Sequence, residues 1–109
     1  MNEIHALNAY EFENTHPLAR TLRVIGEHIC KQRFIDLFDV SYEKVTFEND
    51  SWVNMNFLVD SIDPQELSQL NIQLSKELAK NKDFLNSEIE YIPSFTHGEI
   101  KCQSRSLNL

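Results

Sequence analysis

Apolar residues recur every three to four positions along "HPLARTLRVIGEHICKQRF", where Leu18, Leu22, Ile25 and Ile29 fall at i, i+4, i+7 and i+11. That spacing predicts an amphipathic helix with Pro17 in its first turn, and with Arg20, Arg23, Glu27 and Lys31 facing water. Gly26 interrupts it at a cost of up to about 1 kcal/mol relative to Ala, which points to close approach by a packed element.

After Phe38 the period changes to two. In "WVNMNFLVD" the odd positions Val53, Met55, Phe57 and Val59 alternate with Trp52, Asn54, Asn56 and Leu58, as in a strand with one buried face. The preceding strand carries Val45 and Phe47 on its odd positions. A three-residue loop of Asn49, Asp50 and Ser51 would bring odd opposite odd, pairing Phe47 with Val53, Val45 with Met55 and Glu48 with Trp52. The outer face of this hairpin would then display Tyr42, Lys44, Thr46 and Glu48 beside Trp52, Asn54, Asn56 and Leu58.

Next, "SIDPQELSQLNIQLSKELAKN" reads as a helix capped by Asp63, with Pro64 at its first position and Glu66 completing a capping box. Leu67, Leu70, Leu74 and Leu78 form its buried stripe, and Lys76, Lys80 and Lys82 suit the negative pole of its dipole. The last third predicts a second hairpin, with Ile89 and Tyr91 in one arm, "PSFTHG" as connection, and Ile100 and Cys102 in the other. At the front, Ile4, Ala6, Tyr10 and Phe12 share one parity, a weak strand signal. The expected fold is a single α+β domain over residues 1–109, with 104–109 frayed. Its mostly antiparallel sheet of four or five strands carries two helices on one face, in the order (β)αββαββ, ferredoxin-like with an added strand if the first strand forms.

Charge changes the picture more than composition does. The chain is 41% hydrophobic and 25% charged, and its net charge of −7 is concentrated between residues 36 and 66. There Asp36, Asp39, Glu43, Glu48, Asp50, Asp60, Asp63 and Glu66 face only Lys44; the segments on either side are balanced. Such a balance argues against direct nucleic-acid binding, which needs Lys and Arg to neutralise phosphates, and favours a basic protein partner. No apolar run approaches the roughly 18 residues of a membrane span, and no secretory leader is recognisable, so a cytoplasmic protein is expected. Cys30 and Cys102 are expected to be free, buried thiols rather than a disulfide framework.

No cofactor, metal or enzymatic signature emerges. His28 and Cys30, two apart on a helix, point to different faces, and His97 with Cys102 lacks the further ligands that zinc needs. Glu88 and Glu90 read as a solvated strand face. The residues that combine anchoring aromatics with acids and amides are Tyr42, Glu43, Glu48, Asp50, Trp52, Asn54, Asn56 and Asp60, the expected partner-binding set. In length, charge and lack of a catalytic signature the chain resembles in profile the immunity proteins that neutralise toxins in interbacterial competition. That resemblance implies an acidic inhibitor of a basic toxin such as a nuclease, and transfers no residues. The other reading from sequence is a secretion chaperone or small dimeric adaptor, hinted at by Val24 and Ile72 off the main helical stripes.

Overall fold

The structure is a computed structural model and describes residues 2–60 and 62–97. It is α+β, with the order β1 (Asn2–Leu7), α1 (Ala9–Thr15), α2 (Pro17–Gln32), β2 (Leu37–Phe47), β3 (Asp50–Val59), α3 (Pro64–Leu78), α4 (Lys82–Leu85) and β4 (Tyr91–His97). The four strands form one mixed sheet in the order β1-β2-β3-β4; the first three are antiparallel, and β4 runs parallel to β3.

Four helices are present among the described residues where two are expected, so the order βααββααβ replaces (β)αββαββ, and Glu88, Ile89 and Glu90 precede β4 instead of forming part of a strand. Three further expectations change here. The first strand exists but stops at Leu7, and residues 9–15 turn into a helix capped by Asn8, whose side chain accepts from the Glu11 N–H at 3.0 Å. The stretch expected as the connection of a second hairpin is itself strand: Pro93 to His97 lie beside Met55 to Val59. A parallel neighbour needs a crossover, which α3 and α4 supply. The second arm expected around Ile100 and Cys102, and the tail 104–109, lie outside the described residues.

The third change is the hairpin register. The turn between β2 and β3 has two residues, Glu48 and Asn49, so that Phe47 faces Asp50, Val45 faces Trp52 and Tyr42 faces Met55. The odd positions of β3 are the buried ones, as the alternation predicts, but in β2 it is the even set that joins them. Glu48 takes φ 55°, a left-handed conformation that costs a non-glycine residue roughly 1–2 kcal/mol. Core packing outweighs that local cost.

The core lies between the sheet and helices α1, α2 and α3. Met55, Phe57, Val59, Tyr91 and Phe95 from the sheet meet Ala19, Leu22, Ile29 and Cys30 of α2 and Leu70, Leu74 and Leu78 of α3. Gly26 has the role its position suggests: a Cβ there would overlap the Phe57 ring. Asp63 caps α3 by accepting from the Glu66 N–H at 2.9 Å, while the Glu66 carboxylate turns 4.0 Å from Arg33.

On β4 the outer edge is blunted by a side chain. The Val53 N–H donates to Glu90 O at 2.9 Å, so the odd residues of β3 bond toward β4, and the odd residues of β4 turn their backbone groups outward. Pro93 has no N–H to offer there. At Phe95 the carboxamide of Asn71 from α3 accepts from the N–H at 2.8 Å and donates to the carbonyl at 3.2 Å, as a further strand would.

Two outcomes follow. Gly26→Ala should lower stability to urea by about 1–3 kcal/mol despite its better helix propensity, and a second change, Phe57→Leu, should recover part of the loss. Asn71→Ala should cost about 1–3 kcal/mol and open the β4 edge, producing concentration-dependent association by light scattering beyond that of the wild type; a variant that associates no more than the wild type and is equally stable would exclude this role.

Candidate functional site

The observed register differs from the expected one by three residues, and any odd shift moves every side chain of a strand to the other face. The face away from the helices therefore carries Glu43, Val45 and Phe47 of β2 rather than Tyr42, Lys44 and Thr46. It pairs them with Asn54, Trp52 and Asp50 of β3 and with Ala6, Ile4 and Asn2 of β1. Ile92 of β4 extends the row beside Asn54.

The centre of this open face is apolar. Val45, flanked by Ile4 and Trp52 across the ladder, is buried, whereas Ile4 is 62% exposed and Phe47 and Ile92 are each 43% exposed. Around them stand three carboxylates, Asp39, Glu43 and Asp50, and the amides of Asn54 and Asn56. Asn56 donates to Ser41 Oγ at 3.5 Å. Among the described residues whose register places them on this face there is no lysine or arginine.

Of the expected set, Glu43, Asp50, Trp52, Asn54 and Asn56 are thus brought together, and Glu48 sits at the adjoining turn. Asp60 follows β3 at the opposite end, where its N–H donates to Asp36 O at 3.2 Å.

Tyr42 belongs elsewhere: it is 1% exposed, in the core. Its hydroxyl donates to Glu13 Oε2 at 2.5 Å, and the same carboxylate receives Arg23 Nε at 2.9 Å and Nη2 at 2.7 Å. Arg23 also reaches Glu27 at 2.9 Å, so it is not the water-facing residue that helical spacing suggests. Burial alone would raise the Glu13 carboxyl, but the hydrogen bonds from Arg23 and Tyr42 and the charges of Arg23 and Arg20 outweigh it and hold the group below 4.5. Burial and the neighbouring carboxylate push the Tyr42 hydroxyl up, so it remains a donor.

A cleft of about 360 Å³ opens beside this cluster, lined by Tyr10, Glu13, Arg23, Glu27 and Phe38 among others. Both glutamates in it are already paired with Arg23, so the arrangement is a clasp between α1, α2 and β2 rather than a proton-transfer site. Cys30 is buried, and burial pushes its thiol up to about 11, which suits an inert core residue. His28 is exposed while Cys30 is buried, and no group of three or more His, Cys, Asp or Glu suited to a metal ion occurs among the described residues. No described helix is long and apolar enough to cross a membrane.

Comparison with protein-family models, with curated proteins and with solved structures finds no match to this chain.

The clasp gives a pH signature with a definite sign. Because the folded carboxyl of Glu13 lies below its ordinary value, its stabilisation is complete above about pH 4.5 and is lost as pH falls through the folded value. Wild type should therefore lose more stability than Glu13→Gln between pH 5 and 3 in denaturant titrations. Tyr42→Phe, which removes one donor to a buried charge, should cost about 1.5–3 kcal/mol at pH 7.

Proposed function

We propose that this protein is an acidic binding protein that covers and inhibits a basic protein, in the manner of an immunity protein neutralising a toxin such as a nuclease. The observation that carries the reading is the composition of the open sheet face. It combines Ile4, Phe47, Trp52 and Ile92 with Asp39, Glu43 and Asp50, and no cation answers them on that face among the described residues. Apolar side chains rimmed by carboxylates suit a desolvated anchor region with electrostatic steering around it. The charge supports the same partner, since the acids of residues 36–66 outnumber their one lysine eight to one.

The exposed Ile4, Phe47 and Ile92 also suit a dimeric adaptor that buries this face against a second copy. Charge weighs against it. A two-fold contact would set each carboxylate rim against its own copy, in a chain whose net charge is already −7.

Affinity purification from cells that carry the gene, with mass spectrometry and gel filtration of the pure protein, separates the two. The inhibitor reading expects a basic protein bound one to one. It further expects Glu43→Lys combined with Asp50→Lys to weaken that complex at least about tenfold at low salt, with a shallower salt dependence. A stable homodimer without such a partner, or an affinity indifferent to the charge reversal, would exclude it.

A further inference from the structure

Helix α2 ends in a Schellman arrangement: the Phe34 N–H donates to Lys31 O at 3.3 Å and the Ile35 N–H to Cys30 O at 2.9 Å. The residue at that turn adopts a left-handed conformation and is usually glycine. Here it is Phe34, at φ 58°. Its side chain is 95% exposed, so no burial offsets the strain. The apolar contact that accompanies this motif is made by the next residue, Ile35, which packs against the core, and Phe34 takes no part in it. Phe34 therefore costs the fold backbone energy and returns no packing, a combination found where a residue is held for contact with something else.

Its surroundings indicate what that is. The chain runs on through Asp36 and into a β-bulge between Leu37 and Asp39, where Phe38 is 48% exposed. Asp60 lies beside Asp36. Arg33 is turned toward Gln73 at 2.8 Å and Glu66 at 4.0 Å, which leaves Lys31 as the cation of the last turn of α2. Asp39 belongs both to this end of the molecule and to the open face, so the two surfaces are continuous.

We infer that Phe34 is a docking anchor that enters an apolar pocket of a basic protein partner, with Asp36 and Asp39 meeting that partner's lysines and arginines. The inference rests on the function proposed above and extends its interface. A stable contact needs about 800 Å² and 20 to 30 residues on each side, so an interface centred on the open face has room to extend to this end of the molecule. Aromatic residues, Phe among them, are enriched in such contacts relative to the rest of a protein surface.

Two measurements test it. Phe34→Gly should raise the melting temperature, by roughly 4 °C, because the left-handed turn is relieved; a lower melting temperature would show that Phe34 serves the fold and would overturn the inference. In cells that carry the gene, benzoylphenylalanine in place of Phe34 or, separately, of Trp52 is photo-crosslinked and the attached peptides are identified. Crosslinks from both positions to the same basic protein, with Phe34→Gly weakening that complex at least about tenfold, are expected. Crosslinks from position 52 alone would overturn the anchor and leave the open-face reading standing. Crosslinks to a basic protein from position 34 alone would support the anchor and overturn the open face. Attachment at position 34 to a second copy or to a protein that is not basic would overturn the anchor, and no crosslink at either position would overturn both readings.

Discussion

The hydrogen bond from the Tyr42 hydroxyl to Glu13 fastens the inward face of β2 to the helices that cover it. A buried carboxylate is tolerated only when its oxygens are occupied, and Glu13 has two donors from Arg23 and one from Tyr42. With Tyr42 turned inward, the even positions of β2 join the core. Glu43, Val45 and Phe47 must then face outward, and the turn must close with an even number of residues, here two. The same clasp ties α1 and α2 to the sheet, and the ring of Phe12 lies 5.1 Å from that of Tyr42.

Because the helices lie on one side, the sheet has a covered face and an open one, and the two are managed differently. The covered side is packed closely enough that Gly26 has no room for a methyl group. Its far edge is held by Asn71, whose amide meets both backbone groups of Phe95. The open side keeps aromatic and aliphatic side chains at partial exposure among carboxylates. Backbone strain is likewise kept out of the core: the two described non-glycine residues at positive φ, Phe34 and Glu48, flank β2 at its opposite ends. At Glu48 the strain is the consequence of a register imposed by the core. At Phe34 no packing demands it.

Local sequence determined what local hydrogen bonds and periodicity can encode. Asp63, Pro64 and Glu66 announced α3, the odd positions of β3 marked a buried strand face, and Gly26 foretold a tight contact on α2. Asn8 and Glu11 carry the same three-residue capping spacing as Asp63 and Glu66, so α1 was readable as well. It was obscured because Ile4, Ala6, Tyr10 and Phe12 also share a parity. The excess of acids over residues 36–66 was equally plain, and so was the grouping of Asp50, Trp52, Asn54 and Asn56 along one strand.

Tertiary structure alone decided the register of the hairpin, the burial of Tyr42 and the parallel placement of β4. Each depends on partners distant in the chain: Glu13 lies 29 residues from Tyr42, and Asn71 lies 24 from Phe95. The left-handed residue that the two-residue turn requires at Glu48 costs only about 1–2 kcal/mol. Satisfying a buried carboxylate outweighs that cost, and it is visible only once the helices are in place.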